Sequence, residues 1–401
     1  MTLFSNYDSS FWVTLTKARH TLDYRRLLTP MPANVRAVAT PASAGAASRT
    51  PADRRRRRPV ALASSAHRDG DEVVVVGAGV IGLSCALALR ERGIDKVSVV
   101  AEKMDASETT SGCAGAWWYP FLVEPASRTD PWALTALDWF VELARGERAA
   151  ETGVTIRRAK KYLRNAPEDG LPEWTKGLDY FREMSAEEAP SGVVGVVGGY
   201  EFDAPVVEMP KFLAWLRREC EKVGVTFERR RLESLDNAID GRPGASVVVN
   251  CSGLGARELA EDDEVVPVRG HVIYVSQDSE YIYSDDGSVD DLAYIIPRDD
   301  YTVLGGTAQV GRFDTEPCEE DARDIVRKCK QIWPALDERR IVGARVGLRP
   351  SRKTVRLELD DRRVLRGGAR VIHCFGHGGA GVTLCRGSAL EVADIVASLF
   401  R

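Results

Sequence analysis

The apolar positions change period along the chain, and each change marks an element. Val73-Val74-Val75-Val76 is a continuous β-branched run, the pattern of a strand buried on both faces. Past a glycine-rich turn the spacing becomes helical, through Leu83, Ala86, Leu87 and Leu89, and stops near Gly93. Residues 96–101 read as a second strand. A third, ending in Val247-Val248-Val249-Asn250, runs into the small-residue turn Cys251-Ser252-Gly253. Residues 369–375 read as a strand, followed by Gly376-His377-Gly378-Gly379-Ala380-Gly381 and a helix through Leu390 and Ile395. Between these blocks the pattern alternates. Residues 271–276, 293–297 and 301–305 read as strands, with an Arg298-Asp299-Asp300 turn before the last.

A chain of 401 residues suits two intertwined domains. No apolar run reaches the ~18 residues that a membrane span needs. Eight cysteines lack CxxC pairing and read as reduced thiols, and five histidines form no ligand pattern, so no metal is expected. Charge is uneven. Residues 1–70 carry 12 Lys/Arg against 4 Asp and no Glu, including Arg54-Arg55-Arg56-Arg57-Arg58. That segment resembles an organellar transit peptide, which points to a plastid or mitochondrion; a disordered tail is the alternative. The C-terminus, Ser398-Leu399-Phe400-Arg401, is not a peroxisomal address of the SKL type, although peroxisome and cytoplasm stay open. The remainder is acidic, which argues against nucleic acid as a partner.

Gly77-Ala78-Gly79-Val80-Ile81-Gly82 follows the first strand and opens the first helix, and Glu102 closes the second strand. This is where a dinucleotide needs them. Gly77 makes the tight turn, Gly79 admits the pyrophosphate, Gly82 lets helix and strand pack, and Glu102 accepts from ribose hydroxyls. NAD and FAD are equally served so far. Three features favour FAD: the small-residue stretch Glu108-Thr109-Thr110-Ser111-Gly112-Cys113-Ala114-Gly115, the turn at Ser252-Gly253, and the second glycine-rich turn at 376–381. A helix amino end at that last turn would stabilise the charge of a reduced flavin. His377 reads as structural rather than catalytic.

These motifs, in this order, resemble the D-amino-acid oxidase family, which includes D-aspartate oxidase. The likeness runs over residues 71–401. It rests on VVVVGAGVIGLS (73–84), GAWWYPF (115–121), VVVNCSGLGA (247–256), PVRGH (267–271), AYIIPR (293–298), GGT (305–307), VGLRPSRKTVRLE (346–358) and GHGGAGVT (376–383). The resemblance implies an α/β fold: a doubly wound, Rossmann-like FAD domain built from discontinuous segments, with a second α+β domain whose sheet is mainly antiparallel. The expected segments are 71–124, 205–262 and 340–401 for FAD, and 125–204 and 263–339 for substrate. It places FAD on Gly77, Ala78, Gly79, Val80, Ile81, Gly82, Glu102, Lys103, Thr109, Thr110, Ala114, Gly115, the backbone of Leu232, Ser252, Gly253, Gly378, Gly381, Val382 and Thr383. The substrate carboxylate falls on Arg349 and Tyr294, the amine near the carbonyl of Gly379, and the side chain among Ala116, Trp118 and Ile296.

On pattern alone the carboxylate clamp is any of Arg345, Arg349, Arg352 and Arg356; the resemblance selects Arg349. The implied reaction is oxidative deamination of a D-amino acid, with O₂ as acceptor and hydrogen peroxide as product. A D-aspartate or glycine oxidase, or a flavin protein without catalysis, are the other readings, and a homodimer is an expectation. The chain departs from the family at Asp290, where a lid tyrosine stands in mammalian members, at Ala308 after GGT, and at Phe375, where tyrosine is usual. Asp285, Asp286, Asp290 and Asp291 would line the mouth and repel anionic side chains, favouring neutral or basic D-amino acids.

Overall fold

The four valines form β1 (Glu72–Val76), and Val73, Val74 and Val75 are wholly buried. The computed structural model describes residues 71–167, 170–285 and 292–401. The basic segment 1–70, with its targeting expectation, and Asp286, Asp290 and Asp291 lie outside them. The other strands among the described residues are β2 (Lys96–Ala101), β3 (Val154–Leu163), β4 (Phe181–Met184), β5 (Gly198–Val207), β6 (Thr226–Arg229), β7 (Ala245–Asn250), β8 (Val266–Val275), β9 (Ile282–Asp285), β10 (Ala293–Pro297), β11 (Thr302–Gly305), β12 (Gln309–Val310), β13 (Ile341–Val364) and β14 (Arg370–His377). All belong to one sheet, ordered β4-β5-β3-β9-β10-β11-β8-β13-β14-β7-β1-β2-β6, with β12 beside β8.

The sheet has two characters. From β14 through β7, β1 and β2 to β6 every pairing is parallel. From β13 through β8 and β11 to β10 and β9 every pairing is antiparallel. β13 joins the two regions: residues 341–351 pair with β8, and residues 351–364 with β14. The doubly wound and antiparallel parts expected from sequence are therefore parts of one continuous sheet.

Among the described residues five long helices cover it: α1 (Val80–Glu91), α2 (Ala126–Arg145), α3 (Met209–Lys222), α4 (Glu319–Ile332) and α5 (Gly381–Leu399). α1 is apolar nearly all round because it lies between the parallel strands, α3 and α5. α4 is one-sided. Ala322, Ile325, Val326, Cys329 and Ile332 recur on one buried stripe, and Glu319, Glu320 and Asp321 favour its amino end. It packs on β8, β10 and β11. Two features depart from the expected segmentation. β5 runs through the boundary at 204/205, and α2 packs on α5 although it falls in the substrate segment. No helix among the described residues is long and apolar enough to cross a membrane.

Candidate active site

A cleft of ≈ 750 Å³ opens at the carboxyl ends of β1 and β7 and runs to β10 and β13. At its nucleotide end the chain turns from β1 into α1 through Gly77, whose φ of +110° suits glycine alone. A Cβ on Gly82 would lie 1.9 Å from the Gly77 carbonyl oxygen, so that glycine serves helix–strand packing and stays off the cleft wall. Gly79 caps α1 with no side chain, and Val80 N–H bonds Ser111 Oγ at 3.0 Å. Glu102, Lys103 and Leu232 line the far end, and Arg231 sits 3.9 Å from the Glu102 carboxylate.

The loop at 107–115 closes over this turn and is fixed from several sides. Thr109 caps its short helix, accepting from Gly112 N–H, and Thr110 Oγ1 donates to Leu348 O at 2.9 Å. Arg345 donates to Ser107 O and Gly112 O at 2.8 and 3.3 Å. Arg298, read from sequence as a turn residue, is buried at 5% exposure and bonds the carbonyls of Val207 and Gly115. Ser252, Gly253, Gly378, Gly379, Gly381, Val382 and Thr383 complete the walls beside the amino end of α5. Thr383 exchanges hydrogen bonds with the backbone of Tyr119 at 3.0 and 3.2 Å. These groups fit FAD. Glycine backbone and a helix amino end suit the pyrophosphate, an acidic residue suits the ribose, and two further small-residue turns line the cleft between them.

At the other end Arg349 and Tyr294 meet across the sheet. Burial pushes the Tyr294 phenol above its usual value, against the pull of the nearby Arg349 guanidinium. Arg349 donates to Thr307 O at 2.8 Å and has no carboxylate partner among the described residues. Two motif glycines make room. A Cβ on Gly270 would lie 2.5 Å from Arg349 Cζ, and one on Gly305 2.1 Å from Tyr294 Cζ. Gly379 lies against the same arginine, its Cβ position 3.5 Å from Arg349 Cδ. Of the other candidate clamps, Arg345 lines the cleft at the 107–115 loop, and Arg352 and Arg356 face elsewhere. Arg352 pairs with Asp262 and Glu264 at 3.2 and 3.3 Å, and Arg356 with Asp262 and Glu358 at 3.0 and 2.9 Å.

Ala116 and Ile296 line the cleft as expected, but Trp118 does not. Its ring is fully buried behind the wall and donates to Ala133 O at 2.9 Å. Trp117 and Tyr119, stacked at 4.9 Å, take its place, with Leu292 and Ser284 nearby on the wall. The stretch is not a regular strand, so side-chain parity could not be read from it. Asp285 is also not a mouth residue: it is buried at 3% exposure and forms an ion pair with Arg164. Sequence reading missed Ser111, Thr307 and Arg298 as functional supports. The last two lay inside quoted motifs, but their partners are set by cross-strand register.

The comparisons agree with this geometry. A family model described as FAD dependent oxidoreductase matches residues 72–395. A D-amino-acid oxidase of Rubrobacter xylanophilus is 44% identical over 324 residues, 80% of this chain and 94% of that protein. A human D-aspartate oxidase is 32% identical over 338 residues, 82% of this chain and 95% of that one. In three dimensions the chain is similar to glycine oxidase from Geobacillus kaustophilus, with a TM-score of 0.65 at 20% identity, covering 82% and 94% of the two chains. The chain belongs to the D-amino-acid oxidase family of FAD-dependent oxidoreductases, and it is an oxidase.

Proposed function

We propose that the chain oxidatively deaminates neutral D-amino acids, giving the 2-oxo acid, ammonia and hydrogen peroxide. One observation supports this above the others: Arg349 keeps an uncompensated guanidinium beside the Tyr294 hydroxyl, in the same cleft as the nucleotide turn. A planar fork with a phenol beside it suits an α-carboxylate, since each oxygen can accept from a separate donor. With the acid end held, the amine falls near Gly379 and the side chain among Ala116, Trp117, Tyr119 and Ile296. The Cα hydrogen is then left facing the part of the cleft between the glycine turns. FAD, when bound, supplies the hydride acceptor there and passes the electrons to O₂.

The protein's contribution is position more than acid–base chemistry. Neither Arg349 nor Tyr294 has an ion pair or hydrogen bond with a histidine or carboxylate among the described residues; His271 and His373 are off the cleft wall, and burial lowers both imidazoles. The substrate amine therefore reacts as the neutral base, and the imino acid released hydrolyses in water. The side-chain walls are aromatic, aliphatic or hydroxyl-bearing. That favours neutral side chains. The argument for basic ones loses Asp285, which is already neutralised by Arg164.

The test is anaerobic mixing of the yellow protein with D- and L-amino acids. D-Alanine should bleach the flavin and L-alanine should not; D-aspartate as the best substrate would sink the pocket argument. Arg349→Ala should raise KM for D-alanine by the equivalent of at least about 2 kcal/mol, the loss for one partner of a buried charge pair. An unchanged KM removes Arg349 from this role.

A further inference from the structure

Cys85 on α1, Cys251 at the end of β7 and Cys374 in β14 come from three separate elements, and the fold brings them together. All three are buried, and their Sγ atoms lie within 4.8 Å of one another. The Cys85 and Cys251 sulfurs are 3.8 Å apart. That is the sulfur–sulfur spacing set by two bonds of about 2.3 Å at a tetrahedral zinc ion, about 3.8 Å. Other buried thiols of this chain behave differently. Cys220 donates to Leu83 O, and Cys329 faces the carbonyls of Tyr294 and Gly305. Cys85 and Cys251 turn to one another instead.

His377, three residues further along β14 than Cys374, is 3% exposed and is not one of the clustered donors. The three thiols form a soft donor set, the kind that selects d10 ions over magnesium or calcium.

We propose that Cys85, Cys251 and Cys374 bind a thiophilic d10 cation, zinc or copper(I). Binding displaces the three thiol protons to solvent and leaves three metal–thiolate bonds, with no change in oxidation state. The ion would tie α1, β7 and β14 together directly beneath the nucleotide turn, where Cys251 and Cys374 form part of the cleft wall. Sequence spacing alone points away from a metal, since no two of these cysteines are close along the chain. The proposal does not depend on which substrate the enzyme oxidises.

The experiment uses flavin-loaded protein dialysed free of metal. Zinc is added in one arm and buffered copper(I) in the other, with bound metal and released protons measured. Cadmium serves as an ultraviolet probe of thiolate-to-metal charge transfer. One ion per chain is expected in at least one arm, and the two arms decide which ion it is. Cys85→Ala removes a direct thiolate ligand and should weaken binding by more than about a hundredfold, beyond the 10- to 100-fold typical of a lost outer-shell partner. Cys318→Ala, outside the cluster, should bind like the parent. Should the Cys85 variant fail to fold, alkylation of the parent, followed until the buried thiols react through local opening, decides: metal should slow the labelling of Cys85, Cys251 and Cys374. Absence of stoichiometric binding in both arms, binding unaltered by Cys85→Ala, or equal labelling with and without metal would each mean that the thiols are only packed side chains.

Discussion

Two pairs of arginines ride on β13 and end in opposite situations. Arg345 and Arg349, on the half that pairs with β8, donate to backbone carbonyls of Ser107, Gly112 and Thr307. Arg352 and Arg356, beside β14, are held by the carboxylates of Asp262, Glu264, Glu358 and Asp360. A carbonyl dipole orients a guanidinium without cancelling its charge, whereas a carboxylate cancels it. The first half of the strand thus presents net positive charge to the cleft, and the second half spends its charge on holding the fold. Residue type alone does not separate a ligand-binding arginine from a structural one; the charge of what holds it does.

The sharpest way to break that contrast is to move Arg349 without removing it. Gly270→Ala puts a methyl group 2.5 Å from Arg349 Cζ, so the guanidinium must shift. Misplacing a binding group by about 1 Å costs on the order of 10²-fold in rate, and kcat/KM for D-alanine should fall by about that much while flavin is retained. Parent-like kcat/KM would show that the clamp tolerates displacement. Next in size is Arg356→Leu. It strips Asp262 of one charged hydrogen bond and leaves Arg352 as its partner, so the unfolding free energy should drop by about 2 kcal/mol with KM unchanged. A raised KM in this variant would mean that the two halves of β13 are not separable.

The same contrast explains what the sequence made legible. The nucleotide end is built from neighbours in the chain: strand, glycine turn, helix and acidic residue fall within residues 72–102, and the periods of their side chains reveal them. The parallel strands and α1 appear where the four valines and the helical spacing put them. The substrate end is assembled across β8, β10, β11 and β13, and its logic lies in register. Gly270 matters because Arg349 crosses above it, and Thr307 because its carbonyl faces that arginine; neither relation has a signature in local spacing. The family resemblance supplied Arg349 and Tyr294, while Trp118 and Asp285 went astray. Trp118 sits in an irregular segment with Ala116 at a φ of +48°, which breaks the alternation a reader would extrapolate. Asp285 looked like a carboxylate at the mouth because its partner, Arg164, is more than a hundred residues away.

Tyr294 offers the finest test, because two influences on it oppose each other. Burial disfavours the phenolate, and the adjoining Arg349 guanidinium favours it; burial is the larger, so the phenol lies above its ordinary value of 10.0. Only the protonated phenol can donate to a substrate carboxylate, and a phenolate would repel it. KM for D-alanine should therefore show no rise caused by this group until the pH passes about 10. Tyr294→Phe should raise KM by about tenfold, the worth of one charge-assisted hydrogen bond at the low end of its range, and by the same factor at pH ~7 and pH ~9. A parent KM that climbs between those pH values, with the climb absent in Tyr294→Phe, would mean that the guanidinium outweighs burial. Arg349 would then be partly neutralised by its own neighbour in the free enzyme, and the contrast between the two halves of β13 would narrow with rising pH.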